Sequence, residues 1–223
     1  STRRREILEF DFARLAPGDD WLQYLSARSL DPAVDEQRRE QYYQRFKADA
    51  RRSNQIAILT QYLNTAFAQA GTEQRADFVL DELLAALGPL AMIERLEQRA
   101  ARSDLSAQSR SDAYFRFKKA ALASANTERL LRFIERRVAL AEPNQDYLAE
   151  LREVAGDDRA LPTLRSLASR TDLDLSAAER AYYAFQEAAI SSDQTAAFVQ
   201  FLQLRLGEPK ISARAKELYE YDL

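Results

Sequence analysis

Carboxylates are the main reactive side chains of this chain, which carries 35 Asp and Glu residues but no cysteine and no histidine. The missing cysteines remove thiolate nucleophiles, disulfides and zinc sites with Cys ligands. The missing histidines remove the commonest general base and the commonest metal ligand. Catalysis would therefore fall to carboxylates alone, and since no motif for it is present we expect a protein that is not an enzyme.

The carboxylates that could form a catalytic pair are Glu82 and Glu150, which fall at related positions of the chain. Glycosidases need two carboxylates about 5–10 Å apart in unlike environments. Because Glu82 and Glu150 belong to different repeats, as shown below, their spacing does not favour that geometry. An enzyme built on them is the weaker of two alternative classes of function, the other being a binding protein.

Two acidic turns share the letters GDD, with Asp19 and Asp20 after Gly18, and Asp157 and Asp158 after Gly156. Their spacing lacks the alternating ligands of a calcium loop. Acidic residues at the start of a helix are favoured by the helix dipole. We therefore predict helix starts at both turns, and no metal or cofactor.

The elements that must position these side chains are helices, and they are repeated. The segment YFRFKKAALASANTERLLRFIERR from Tyr114 aligns without a gap with YYAFQEAAISSDQTAAFVQFLQLR from Tyr182, and YYQRFKADARRSNQIAILTQYL places Tyr43 on Tyr114. Apolar residues recur within each segment at helical spacing, and no strand pattern of strict alternation is present. The pattern predicts a unit of about 70 residues made of two helix pairs.

Helix ends are marked by Gly88 and Gly156, because glycine closes a helix without a Cβ penalty. Hydroxyl and amide side chains precede several periodic segments and are predicted as helix N-caps. These residues are Ser53, Thr72, Asn126 and Ser192.

We predict an all-α fold, an α-solenoid of about six stacked helix pairs followed by a terminal helix. A single helix pair cannot bury its apolar face, whereas stacked neighbours bury it continuously. The prediction treats 1–223 as one array with pairs near 3–30, 32–70, 72–102, 105–140, 143–172 and 174–207, and a last helix over 210–222.

The last pair resembles the tetratricopeptide repeat, whose helix pairs are about 34 residues long. Ala197, Phe201 and Pro209 fall where that family keeps a small residue, an aromatic residue and a closing proline, whereas Phe185 and Ala188 depart from its pattern. The resemblance implies that the first helix of each pair lines a concave face that binds partners. Carried over by position, the partner-binding residues are Tyr43, Lys47, Phe78, Glu82, Tyr114, Lys118, Asp146, Glu150, Tyr182 and Gln186.

The aromatic members of this set have two interpretations. Aromatic rings beside polar neighbours suit a peptide groove or a sugar surface. Aromatic stripes at helical spacing also pack between adjacent helices, which is their commoner role. Both interpretations stay open at the level of the sequence.

The GDD turns and the alternation of short and long units resemble the periplasmic, PelB-like helical scaffolds of bacterial exopolysaccharide export systems. This resemblance implies a periplasmic segment of a larger protein that docks a polymer-modifying hydrolase or deacetylase. The alternatives are a module that binds the polysaccharide directly, and a cytoplasmic location. Nucleic acid is not an expected partner, because the isoelectric point is about 5.3, and no apolar run is long enough to span a bilayer.

Overall fold

This computed structural model describes residues 18–140, 146–209, 211 and 213–223. Residues 3–17 and 143–145 of the predicted pairs, and positions 210 and 212 of the predicted last helix, lie outside the described residues. The described part of the chain is all-helical and contains no strand. Its helices are α1 (Gly18–Leu30), α2 (Glu36–Arg52), α3 (Ile56–Ala68), α4 (Glu73–Leu87), α5 (Pro89–Ala101), α6 (Ala107–Ala123), α7 (Thr127–Ala139), α8 (Tyr147–Ala155), α9 (Asp157–Ala168), α10 (Leu175–Ser191), α11 (Thr195–Leu206) and α12 (Ala213–Asp222).

The helices cluster into two compact units, with unit 1 ending at Ala113 and unit 2 beginning at Tyr114, inside α6. In unit 1, α1 packs on α2 and α3, and α4 packs on α3 and α5. In unit 2, successive helices from α7 to α12 pack on one another, and α8 also contacts α10. Contacts between a helix and both its first and second neighbours are those of a solenoid, so the predicted all-α, solenoid-like fold is confirmed. The continuity of one array over 1–223 stays a prediction.

Each unit has a core of aromatic and branched side chains that recur at helical spacing. In unit 1, Phe46 and Leu80 are fully buried, and in unit 2 Phe117 and Phe185 are. Burying one such side chain contributes roughly 1.5–3 kcal/mol. Phe117 and Phe185 occupy equivalent positions in the aligned segments, so the repeated letters of the sequence are the repeated core.

Gly88 and Gly156 each join two helices directly. Gly88 has φ +80° and Gly156 has φ +79°, and each is both the C-cap of one helix and the N-cap of the next. Only glycine adopts such angles without a steric penalty from Cβ. The prediction that these two glycines end helices is confirmed.

The other predicted caps have mixed outcomes. Thr72 is an N-cap as predicted, since its Oγ1 accepts a hydrogen bond from the Arg75 backbone N–H. The predictions for Ser53 and Ser192 are wrong, because these residues are the C-caps of α2 and α10. Asn126 is at the N-cap of α7 but makes no capping bond. Serine, threonine and asparagine also serve at helix C-termini, where they bond to carbonyls instead.

The turns that follow α2, α6 and α10 share one geometry. In each, a serine hydroxyl donates to a carbonyl four residues earlier, as Ser124 does to Ala120 at 2.7 Å. The next residue takes a left-handed conformation, with φ of 56–57° at Asn54, Ala125 and Asp193. The same turn therefore connects a long helix to a shorter one three times, twice in unit 2.

Candidate functional site

Tyr43, Lys47 and Glu82 come together in unit 1, and we call them the unit 1 rung. Tyr43 and Lys47 are four residues apart on α2 and so share one helix face. Lys47 Nζ donates to Glu82 Oε1 of α4 at 2.7 Å, and it lies 5.8 Å from the centre of the Tyr43 ring. The ion pair thus links two helices that are not neighbours in the chain, a contact that the sequence analysis did not predict.

The same three residue types meet again in unit 2, as Tyr114, Lys118 and Glu150, the unit 2 rung. Lys118 Nζ donates to Glu150 Oε2 at 2.6 Å and to Glu153 Oε2 at 3.0 Å. The Tyr114 hydroxyl donates to Glu150 Oε2 at 3.0 Å. One carboxylate of α8 therefore receives two donors from α6.

Both tyrosine rings are buried. Tyr43 is 2% exposed and Tyr114 is fully buried. Tyr43 stacks on Tyr62 with ring centres 5.6 Å apart, and Tyr114 stacks on Phe133 at 5.7 Å. The rings thus pack between helices of their own unit, which is the second of the two interpretations that the sequence left open.

The pKa values of Tyr43, Tyr114 and Lys118 in the rungs are shifted by their surroundings. Burial raises the pKa of Tyr43 and of Tyr114, and the carboxylates of Glu82 and Glu150 raise these pKa values further. Burial alone would lower the pKa of Lys118, but its hydrogen bonds to Glu150 and Glu153 outweigh that effect and raise the pKa. The tyrosines therefore stay protonated and Lys118 stays charged, an arrangement suited to holding helices together rather than to moving protons.

The four remaining residues of the predicted set are distributed as follows. Phe78 is 37% exposed and lies edge-on to Tyr43, with ring centres 6.3 Å apart. Asp146 caps α8 by accepting a hydrogen bond from the Ala149 backbone N–H. Tyr182 is 1% exposed, and its hydroxyl donates a hydrogen bond to the Asp222 carboxylate. Gln186 lies one turn further along α10 and is half-buried. The role of all ten residues in binding a partner stays a prediction.

Four exposed apolar side chains of unit 2 were missed by the sequence analysis, and we call them the outer apolar set. Phe115 (53% exposed) and Leu122 (50%) are on α6, and Tyr183 (45%) and Ile190 (60%) are on α10. The ungapped alignment of the two segments places Phe115 on Tyr183 and Leu122 on Ile190. That alignment was the available signal, but the positional rule of the tetratricopeptide family selected the residue before each aromatic.

In the GDD turn that follows Gly156, both carboxylates accept hydrogen bonds from other side chains of the protein. Asp157 and Asp158 are in the first turn of α9, as predicted. Arg152 Nε donates to Asp157 at 2.6 Å, and Gln194 Nε2 donates to Asp158 at 2.9 Å. Across the described ranges, acidic side chains form no cluster of three that could hold a metal ion.

Within the helices described above, none is both long and apolar enough to cross a membrane. No family model matches the chain, and searches of the curated proteins and of the solved structures also found no match. Functional inference therefore depends on the geometry of the chain itself.

Proposed function

We propose that the protein is a non-enzymatic protein–protein interaction scaffold. In this proposal it is a periplasmic segment of a larger bacterial envelope protein that docks a polymer-modifying hydrolase or deacetylase during exopolysaccharide export. Its PelB-like resemblance, which rests on the GDD turns and the alternation of unit lengths, supports the setting. The fold supports the class of function, since helix repeats present long surfaces to partners.

The observation that carries the proposal is the outer apolar set. Single exposed apolar residues are normal on a protein surface. These four recur at equivalent positions of two aligned helices, and that repetition supports a shared role in contacting a partner. Phe115 and Leu122 are seven residues apart on α6, and Tyr183 and Ile190 are seven apart on α10. Each helix therefore presents its aromatic and its aliphatic side chain on one face, two turns apart.

Aromatic residues such as the two of the outer apolar set are the usual anchors of a protein interface. Phe115 and Tyr183 each lie next to a buried tyrosine, with ring centres 5.7 Å and 5.4 Å apart. The buried neighbour fixes the backbone from which the exposed ring projects. A partner would therefore meet pre-positioned side chains, which lowers the entropy lost on binding.

The test is an affinity pull-down from a bacterial envelope extract, comparing the unchanged protein with the double variant Phe115→Ser, Tyr183→Ser. We expect a polymer-modifying hydrolase or deacetylase on the unchanged protein, and its retention to fall about tenfold or more with the variant. The matched control is Arg132→Ser, Gln200→Ser, which changes two exposed residues on α7 and α11 of the same unit.

Retention that falls equally with the control would point to a general effect on folding, which circular dichroism of both variants would detect. An enzyme retained equally by all three proteins would mean that the outer apolar set does not bind it. Absence of any enriched enzyme would contradict the docking proposal itself.

A further inference from the structure

A polar cavity of about 350 Å³ lies in unit 1, next to the unit 1 rung. The residues that line it come from the end of α1, from α2, from the end of α3, from the segment between α3 and α4, and from the start of α4. We call it the polar cavity, and the residues used below are Glu36, Arg39, Glu40, Tyr43, Gln69 and Arg75.

One face of α2 supplies most of the lining. Glu36, Arg39, Glu40 and Tyr43 are spaced at i, i+3, i+4 and i+7, which places them on one side of the helix. Burial of Tyr43 in the core therefore turns the three charged residues toward the cavity. The cavity follows from the same helical register as the rung.

The charged groups of the cavity have equal numbers of each sign but are not paired with each other. Among the described residues, the side chains of Glu36, Arg39 and Arg75 form no ion pair. Within the described ranges, the Glu40 side chain accepts a hydrogen bond from the amide of Gln44 alone, at 2.7 Å. Many other arginines of the chain meet a carboxylate within 3 Å, as Arg99 does with Asp77.

Glu36, Glu40, Gln69 and Arg75 reach solvent, so a ligand that supplies both donors and acceptors can replace the water on them. Arginine can only donate and a carboxylate can only accept, while the amide of Gln69 does both. Two arginines against two glutamates give no net charge, and the signs alternate along α2 instead of separating into a positive and a negative end. This lining does not select an ion of either sign, whereas each hydroxyl of a sugar can donate to Glu40 and accept from Arg39.

We propose that the polar cavity binds an uncharged saccharide. Small-molecule sites have volumes of about 300–1,000 Å³, so a cavity near the lower limit accommodates a mono- or disaccharide rather than a longer chain. The inference goes beyond the proposed scaffold, because it concerns a small ligand and a different unit from the outer apolar set.

The test is saturation-transfer NMR and calorimetric titration of the unchanged protein with glucose, galactose, N-acetylglucosamine and cellobiose. Inorganic phosphate, glucuronate and glycine serve as charged probes. We expect at least one of the neutral sugars to bind, with a Kd of roughly millimolar order as suits a small polar ligand. Phosphate, glucuronate and glycine should bind more weakly than that sugar.

Two variants locate the binding. Arg39→Met removes a donor from the cavity, and Arg38→Met is its control, since the neighbouring Arg38 interacts with Asp35 and does not line the cavity. Arg39→Met should weaken sugar binding about tenfold, and Arg38→Met should not change it. Ala70→Phe should abolish binding by filling the cavity while leaving its charged residues in place.

Three results would overturn the proposal. These are no binding of any neutral sugar, tighter binding of a charged probe, and sugar binding that persists in both Arg39→Met and Ala70→Phe. Circular dichroism distinguishes a folding defect from a lost ligand. Enzyme retention by Arg39→Met should equal that of the unchanged protein, so that failure of the saccharide proposal and failure of the scaffold proposal are separate results.

Discussion

The unit 1 rung and the unit 2 rung contain the same three residue types but differ in the hydrogen bonds that these residues make. In unit 2, the Tyr114 hydroxyl and the Lys118 ammonium both donate to Glu150, and Lys118 also reaches Glu153. In unit 1, the ion pair between Lys47 and Glu82 is kept, but Tyr43 Oη and Glu82 Oε2 are buried without a hydrogen bond among the described residues. The unit 2 rung is therefore a closed polar network, and the unit 1 rung is an incomplete one beside a cavity.

This difference shows how a repeated sequence can support two purposes. A closed network holds helices in one arrangement and leaves the exposed residues to meet a partner. In unit 1, the rung lies beside a cavity whose charged side chains reach solvent and could meet a ligand. The two proposals above assign the partner to unit 2 and the small ligand to unit 1 on that basis.

The largest expected effect comes from removing the lysine of each rung. Lys47→Met leaves Glu82, whose side chain is 15% exposed, with no donor, and should lower the free energy of unfolding by about 3 kcal/mol. Lys118→Met should cost about 2 kcal/mol, because Glu150 keeps the Tyr114 hydroxyl. Urea unfolding followed by circular dichroism measures both, and Trp21 fluorescence reports on unit 1 alone, since it is the single tryptophan. Equal costs would mean that the rungs are energetically the same.

The next effect compares the two tyrosine hydroxyls. Tyr114→Phe removes a hydrogen bond to a charged acceptor and should cost about 1.5–3 kcal/mol. Tyr43→Phe removes a buried hydroxyl that makes no hydrogen bond to any residue the structure describes, and it should be neutral or slightly stabilising. Urea titrations of both variants measure the two changes in the free energy of unfolding. A marked loss of stability in Tyr43→Phe would show that its hydroxyl does bond to Glu82 in solution, and the contrast between the rungs would disappear.

Alkaline pH should destabilise both units. Burial raises the pKa values of Tyr43 and Tyr114 above the ordinary value of 10.0. Above pH 10 the unfolded chain releases these protons while the folded chain keeps them, so the free energy of unfolding falls by about 1.4 kcal/mol per pH unit for each tyrosine. Urea titrations across this range check the slope. Tyr43→Phe and Tyr114→Phe should flatten it equally, since burial is the main cause in both units, and unequal slopes would contradict that cause.

The smallest effect concerns the shared turn. Ala125 of unit 2 has φ 56°, which is unfavourable for alanine, whereas Asn54 occupies the equivalent position of unit 1 with φ 57°. Ala125→Asn should therefore stabilise the protein by about 0.5–1 kcal/mol, and Asn54→Ala should destabilise it by a similar amount. Thermal unfolding of the two variants measures both changes in stability. A loss of stability in Ala125→Asn would show that the turn geometry differs between the units.

Much of the fold could be predicted because the spacing of residue types along short stretches of sequence determines where helices form. Apolar residues at helical intervals specify a helix and its buried face, and Gly88 and Gly156 mark its ends through backbone angles that only glycine adopts easily. The direction of a cap could not be predicted for Ser53 and Ser192. A serine hydroxyl bonds as readily to a carbonyl at a helix end as to an amide at a helix start, so its type does not tell the two apart.

The candidate site could be predicted only in part from the sequence. That Tyr43 and Lys47 share a face follows from register, since they are four residues apart, but the ion pair of Lys47 with Glu82 was not predicted. Which ring of a neighbouring pair is buried does not follow, as Tyr114 and the exposed Phe115 show. Both are large aromatic residues, and only the angular position of the neighbouring helices determines which one they cover.

The sequence by itself determined the helices and their repeat, because both depend on residue types at short, fixed intervals. Tertiary structure alone decided that the Tyr114 hydroxyl bonds to Glu150 while that of Tyr43 makes no hydrogen bond within the described part of the chain, and that a cavity lies beside one rung. Those outcomes depend on ångström-scale offsets between helices distant in the chain. Such offsets are set by how many side chains pack at once, and no local pattern encodes them.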